Sequence, residues 1–232
     1  MQSSFEWFTL IETVGIISFA VNAMMIAKTG GLSTLGIFIC SFVAAFGGGT
    51  VRDLLLGPQA QPFFWVANPF YIVAIFTVAI IYANVPQIQK LIERRDVLLK
   101  EGSEALAHAS LCAGGAAKTY GLLAPGSGDG LLSLSHLWIL CAVMGMIASG
   151  FGTIIRDVVI NEFPKALYPG MWVLEGAFVG SAAVTTMLML GLERPWAVLV
   201  GFLAALGIRS FAILQLTEAK RGGRVVVRGN SN

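Results

Sequence analysis

The sequence predicts an all-α integral membrane protein with seven transmembrane helices, arranged as a 3+3 inverted repeat plus one extra helix. Of the 232 residues, 56% are hydrophobic and only 12% are charged, about half the charged fraction of an ordinary soluble domain. A glycine-containing apolar segment that ends in Arg-Asp also occurs once in each half of the chain, at Arg52-Asp53 and at Arg156-Asp157. The composition predicts the membrane, and the repeated segment predicts the internal repeat.

Seven apolar stretches approach the length of about 20 residues that a helix needs to cross a bilayer. Backbone groups in lipid must be satisfied within their own segment, so each stretch is expected to be a helix. The fourth stretch is the most polar, because it contains Glu104, His108 and Lys118. The stretches lie near Phe8–Ala27, Leu32–Leu56, Pro69–Pro86, Ser103–Leu123, Leu134–Ile160, Pro169–Leu192 and Pro195–Leu216.

The position of the Arg-Asp segments predicts two copies of a three-helix unit. Three is odd, so the second copy must enter the membrane from the opposite side, which makes the repeat inverted. We expect a first repeat at 1–90, a second at 91–193, a seventh helix at 194–217 and a basic cytoplasmic tail at 218–232.

Basic residues predict the orientation of the chain. With seven crossings, most of them fall on one side of the membrane, which the positive-inside rule makes cytoplasmic. The predicted location is the cell (inner) membrane. The N-terminus is then outside, and the C-terminus is in the cytoplasm. No aromatic residues accompany these charges, so lipid rather than nucleic acid is the expected partner. The residues are Lys28, Lys90, Arg94, Arg95, Lys100, Lys165, Lys220, Arg221, Arg224 and Arg228.

The glycine-Arg-Asp segments are the candidate functional site. Glycine weakens a helix by about 1 kcal/mol relative to alanine, so both helices are expected to be interrupted there. The freed backbone would line a hydrated path for a cation. The residues of this predicted path are Gly47, Gly48, Gly49, Thr50, Arg52, Asp53, Gly150, Gly152, Thr153, Arg156 and Asp157.

Neighbouring Arg and Asp residues point in different directions on a helix. The expected pairs are therefore reciprocal, Arg52 with Asp157 and Arg156 with Asp53. The competing interpretation is structural: the glycines only allow close packing, and the arginines extend to the lipid headgroups.

The motif "GGGTVRDLLLG" (Gly47–Gly57), followed by "PFFW" (Pro62–Trp65) and by Lys118 after "GGAA", resembles the prokaryotic trimeric intracellular cation (TRIC) channels. The resemblance implies a homotrimer in which each protomer has its own potassium-permeable pore between the two repeats. Asn22 stands where the family often has serine, and it is a candidate pore-facing group.

Three further charged residues have two interpretations each. Glu12 and Glu104 are either carboxylates at helix starts, favoured by the helix dipole, or vestibule groups that attract cations. Lys118 is either an interfacial anchor or, as the resemblance implies, a charge that occludes the pore.

The sequence contains no enzyme motif of the GxSxG, GK[ST] or HExxH type, so we predict a non-enzymatic protein without a cofactor.

The leading interpretation is a monovalent-cation channel with potassium or sodium as the permeant ion. Asp53 and Asp157 would supply negative potential, and Arg52 and Arg156 would order them. The alternative is an alternating-access carrier for a small solute such as glycine, since inverted repeats serve carriers equally well. No feature of the sequence specifically favours a third alternative, a helical scaffold without transport.

Overall fold

The computed structural model describes residues 7–67, 69–87, 89, 96–124 and 133–221. Within these ranges the chain is helical and contains no β-strand. The described part has seven long α-helices, a one-turn α-helix at Phe64–Ala67 and two short 3-10 helices at Gly57–Ala60 and Lys165–Leu167. The long helices are α1 (Trp7–Thr29), α2 (Thr34–Leu56), α3 (Phe70–Asn84), α4 (Asp96–Leu123), α5 (Leu134–Val159), α6 (Val173–Met189) and α7 (Arg194–Arg221). The predicted all-α membrane fold class is confirmed.

The seven helices differ in length and polarity. Within the described residues, α1, α2, α5 and α7 are both long enough and apolar enough to cross a membrane. Helices α3 and α6 are apolar but have only 15 and 17 residues, somewhat less than the usual span. Helix α4 has 28 residues. It begins at Asp96, seven residues before the predicted start at Ser103, because its polar first turns lie outside the apolar stretch. Helix α7 likewise continues past the predicted end at Thr217.

Equivalent helices of the two halves begin in the same way. Ser33 precedes α2 and accepts a hydrogen bond from the backbone N–H of Gly36 (3.2 Å). Ser133 precedes α5 and accepts one from His136 (3.4 Å). A serine in this position satisfies a backbone donor that the first helical turn cannot.

Helices α2 and α5 run without interruption through their glycines, and this contradicts the predicted breaks. Residues 47–49 and 150–152 are helical, as are their neighbours on both sides. The glycines remain in helical conformation because each of them lies against a neighbouring element that takes the space of a side chain. The loss of intrinsic helix propensity is offset by packing.

The helices pack as two groups of three with a seventh against the second. Helix α1 lies against α2 and α4, and α2 lies along α5, so the two groups meet through corresponding members. Helix α7 packs on α6 and α4. Gly180 and Gly201 face each other there, since a Cβ on Gly201 would be 2.5 Å from the carbonyl oxygen of Gly180. The boundaries of the repeats predicted from the sequence stay a prediction, and residues 90–95, where the first boundary falls, lie outside the described part of the chain.

Candidate functional site

Helices α2 and α5 cross at a reciprocal pair of glycine contacts. A Cβ on Gly48 would lie 2.3 Å from the carbonyl oxygen of Ala148, and a Cβ on Gly152 would lie 2.3 Å from the carbonyl oxygen of Ala44. Real Cβ atoms do not approach an oxygen so closely, so only glycine fits either position. The two backbones therefore touch directly, as small residues allow at membrane helix crossings.

The remaining predicted glycines also face neighbours. A Cβ on Gly47 would lie 3.4 Å from the Cα of Gly152. A Cβ on Gly49 would lie 2.6 Å from the ring of Phe64, and one on Gly150 would lie 2.4 Å from the side chain of Leu174. Close packing, rather than helix interruption, is what these residues provide.

Each arginine of the repeated motif pairs with the aspartate that follows it. Arg52 donates from Nε and Nη2 to Oδ1 of Asp53 at 2.8 and 2.6 Å. Arg156 makes the same two bonds to Oδ1 of Asp157, also at 2.8 and 2.6 Å. The predicted reciprocal pairs are wrong, because the long arginine side chain folds back far enough to reach its own neighbour.

All four residues of the two motifs are buried. Arg52 and Arg156 expose 3% and 0% of their surface, so neither extends to the headgroup region. Asp53 and Asp157 are also buried. The part of the competing interpretation in which the arginines extend to the lipid headgroups is therefore wrong, and both ion pairs lie within the helix bundle.

The Arg156 pair is enclosed by fixed polar partners. Arg156 Nη1 donates to Oδ1 of Asn22 at 2.7 Å, and Asn22 donates in turn to the carbonyl oxygen of Lys100 at 2.8 Å. The second oxygen of Asp157 accepts from the backbone N–H of Lys165 at 3.1 Å. Asn22 therefore links α1 to Arg156 on α5. The partners of this pair include a buried side chain, that of Asn22, and a backbone N–H, that of Lys165.

A further charged residue, Arg209 of α7, lies in the same region and was not predicted. It is 2% exposed and donates to the carbonyl oxygen of Met171. Its Nη2 lies 3.6 Å from both Glu101 Oε2 and Glu104 Oε2. A lone arginine inside an apolar stretch is itself a signal of a functional or paired group, and "LGIRSFAIL" carries that signal.

Glu104 lies at the centre of a cluster of polar residues that also contains Arg156, His108 and Arg209. Its carboxylate is 3.8 Å from Arg156 Nη2 and 3.9 Å from His108 Nε2. His108 in turn contacts the Ser149 hydroxyl at 3.4 Å. The structure thus places Glu104 inside the bundle beside Arg156 and exposes only 6% of it.

The Arg52 pair has a different neighbour. The second oxygen of Asp53 accepts a hydrogen bond from Nζ of Lys118 at 2.9 Å. The Lys118 side chain is 26% exposed, so it reaches the buried aspartate from a partly open position. Lys118 is therefore neither a simple headgroup anchor nor a fully buried partner.

A small cleft adjoins this pair, with room for about one water molecule. Glu12 and Arg52 supply its polar groups. The apolar part of the lining comes from Ala45, Gly49, Phe64, Leu111 and Ala148. Glu12 is half-buried, and so two predicted residues, Glu12 and Arg52, come together here, next to Lys118.

The two predicted threonines are satisfied locally. Thr50 donates to the carbonyl oxygen of Phe46 (2.8 Å) and accepts from Trp65 Nε1 (2.9 Å). Thr153 donates to the carbonyl oxygen of Gly150 (2.8 Å). Phe64 and Trp65 come from the "PFFW" segment, which packs on Gly49 and Phe46 of α2. This segment closes one wall of the cleft.

Comparison with proteins of known structure places the fold. The chain superimposes on a TRIC trimeric intracellular cation channel orthologue from Rhodobacter sphaeroides with a TM-score of 0.73 and 26% identity, over 90% of this chain and 97% of that one. The chain has the TRIC channel fold. A second TRIC cation channel structure matches with a TM-score of 0.74 and 24% identity, over 90% and 94% of the two chains. The predicted resemblance to the TRIC family is confirmed, and so is the prediction of a non-enzymatic protein, since these neighbours are channels.

The sequence relatives are also described as membrane proteins. A UPF0126 membrane protein of Vibrio cholerae is 29% identical over 88% of this chain and 78% of its own length. The UPF0126 inner membrane protein YadS of Escherichia coli is 27% identical over 88% and 90%. A family model described as a glycine transporter matches residues 9–86. The prediction of a multi-pass membrane protein is confirmed, whereas the inner-membrane location and the orientation of the termini stay predictions.

Proposed function

We propose that this protein is a monovalent-cation channel, permeable to potassium, whose path passes the Arg52–Asp53 pair between the two groups of three helices. The observation that carries the proposal is the pairing of a buried carboxylate with a partly exposed lysine. Asp53 is 0% exposed, and its outer oxygen is held by Lys118 at 2.9 Å, next to the cleft that Glu12 lines.

The charges of this site suit a gated cation path. Arg52 neutralises one oxygen of Asp53, and Lys118 occupies the other. When Lys118 moves away, that oxygen and the Glu12 carboxylate are left to replace part of the hydration shell of a passing cation. Buried carboxylates act strongly in a region of low dielectric constant, where water screens them little.

The described conformation corresponds to a closed state in this proposal. The cleft beside Arg52 has room for about one water molecule, whereas a hydrated cation needs a wider route. Opening therefore requires Lys118 to withdraw from Asp53. Asp157 has no comparable cation to release, because a backbone N–H occupies its outer oxygen.

Assembly and orientation follow the same proposal. A solved neighbour is described as a trimeric cation channel, and we expect a homotrimer with one path in each protomer. The distribution of basic residues favours an outer N-terminus and a cytoplasmic C-terminus. Membrane lipids and the permeant ions are the expected partners, and no cofactor takes part.

The second candidate function is a carrier for a small solute such as glycine. It is favoured by the family model described as a glycine transporter, which matches residues 9–86, a region that includes Glu12, Arg52 and Asp53. A carrier would use the same cleft as one stage of alternating access.

Reconstitution of the purified protein separates the two functions. A channel gives discrete unitary currents in planar bilayers, with a reversal potential that follows an imposed potassium gradient. A carrier gives saturable counterflow of labelled glycine in proteoliposomes without unitary currents. Counterflow without currents would overturn the channel proposal.

Substitution of Lys118 tests the gating role directly. Lys118→Met removes the charge that holds Asp53 and is expected to increase open probability. Lys28→Met is the matched control, because Lys28 lies in the last turn of α1 and has no described contact with Asp53; it should leave open probability unchanged. A Lys118→Met protein with wild-type open probability would contradict the proposed gate.

A further inference from the structure

Glu104 is a buried carboxylate surrounded by donors that stand slightly too far away for direct bonds. Arg209 Nη2 lies at 3.6 Å, Arg156 Nη2 at 3.8 Å and His108 Nε2 at 3.9 Å from its oxygens. Direct N–H···O hydrogen bonds have separations of about 2.7–3.2 Å. None of the three groups therefore makes a direct hydrogen bond to the carboxylate.

Three nitrogens beside Glu104 make no hydrogen bond within the described part of the chain, although one of them, Arg209 Nη2, also lies 3.6 Å from Glu101 Oε2. His108 Nε2, Arg209 Nε and Arg209 Nη2 are buried and make no hydrogen bond. The opposite ends of both side chains are anchored: His108 Nδ1 contacts Ser149 Oγ, and Arg209 Nη1 donates to the carbonyl of Met171. Buried polar nitrogens of this kind require a partner, because leaving them unsatisfied is costly.

The charges beside Glu104 determine which kind of ligand could bond these nitrogens. The guanidinium groups of Arg156 and Arg209 repel a cation, and the carboxylates of Glu101 and Glu104 repel an anion. A water molecule accepts hydrogen bonds from the guanidinium groups and donates to the carboxylate, so it satisfies both sides. It also matches either tautomer of His108.

We propose that Glu104, His108 and Arg209 form a buried water-binding site that couples α7 to the Arg156–Asp157 pair. Arg209 is then a positioning residue: through the water it holds Glu104, and Glu104 faces Arg156. The seventh helix thereby becomes part of the support of the second Arg-Asp motif. The site is independent of what the protein transports.

Hydroxyl-radical footprinting of the full chain in lipid nanodiscs tests this site. X-ray pulses convert bound water into radicals that label the side chains beside it, so buried residues next to ordered water are labelled despite their burial. The reporter is Phe19, which is 0% exposed and lies edge-on to His108 with ring centroids 4.8 Å apart. The matched control is Phe46, also 0% exposed but packed against Phe42, Phe64 and Trp65.

The expected result is labelling of Phe19 several-fold above that of Phe46, together with labelling of His108. Brief mixing with ¹⁸O-water before the pulse should leave the ¹⁶O label on Phe19, since an enclosed water exchanges slowly. Arg209→Met should lower the labelling of Phe19 towards that of Phe46. Equal labelling of Phe19 and Phe46 in the unmodified protein would overturn the proposal, and this comparison stands even when Arg209→Met does not fold.

Discussion

The two Arg-Asp motifs have the same internal geometry but different surroundings. Both arginines bond the following aspartate at identical distances. Around Arg156 the further partners are Asn22, Glu104 and a backbone N–H. Around Asp53 the corresponding partner is the side chain of Lys118, beside a cleft. A repeated motif therefore specifies a local ion pair, while the neighbouring helices decide whether that pair is fixed or can be released.

The largest expected effect comes from the glycine crossing that both motifs share. Gly48→Val and Gly152→Val place a Cβ 2.3 Å from a carbonyl oxygen of the facing helix, and each should cost about 3 kcal/mol or more, at the upper end of overpacking. Thermal unfolding in detergent would measure the loss. Gly102→Ala is the control, because a Cβ there meets nothing within 4 Å, and it should be neutral or slightly stabilising. Wild-type stability of either valine variant would show that the helices do not touch there.

The second prediction compares the two arginines. Arg156→Met leaves the buried Asp157 carboxylate without its arginine and Asn22 Oδ1 without its donor. The free energy of unfolding should fall by about 3 kcal/mol, the lower end for a broken buried ion pair, because the backbone N–H of Lys165 still bonds Asp157. Arg52→Met should cost less, because Lys118 still neutralises Asp53. Unfolding of the two purified variants under the same conditions gives the difference. Equal losses would contradict the distinction between a fixed and a releasable pair.

The third prediction concerns Asn22, which belongs to α1 but serves the motif on α5. Asn22→Leu preserves the approximate size of the side chain and removes the bonds to Arg156 and to the Lys100 carbonyl. The expected loss of stability is about 1–3 kcal/mol, the cost of an unsatisfied buried group. Combined with Arg156→Met, the second substitution should add little, because the shared bond is already absent. Full additivity in this double-mutant cycle would break the predicted coupling.

The smallest expected effect is at the wall of the cleft. Trp65→Phe removes the hydrogen bond from Nε1 to Thr50 (2.9 Å) but retains an aromatic ring. The stability should fall by about 0.5–1.5 kcal/mol. Trp138→Phe removes an equivalent bond to Thr186 (2.9 Å) on α6, away from the cleft. If both variants lose similar stability but only Trp65→Phe changes the unitary current, the ion path lies on the Arg52 side. A changed current in both variants would contradict this location.

The sequence was sufficient to predict the helices and the place where the two halves meet. Seven apolar stretches correspond to α1–α7, and the duplicated motif marks the α2–α5 crossing. These features follow from composition and from repetition along the chain, both of which are visible without coordinates. The resemblance to TRIC channels rested on the same residues.

The errors concerned details that depend on side-chain reach and on tertiary packing. Glycine propensity alone predicted broken helices, but contacts at Gly48 and Gly152 keep them continuous. Helical spacing alone excluded pairing of Arg52 with Asp53, although the arginine side chain is long enough to turn back. Arg209 was visible as an isolated charge in an apolar stretch, yet only the fold shows that it lies next to Glu104.

The contact between α2 and α5 is made by main-chain atoms at two places related by the repeat. Main-chain contacts have no rotamers with which to adjust, so these helices cannot separate by small rearrangements of side chains. They should therefore move together as one rigid unit. Any widening of the bundle should then come from the elements packed around these two helices, namely α1, α4 and the "PFFW" segment.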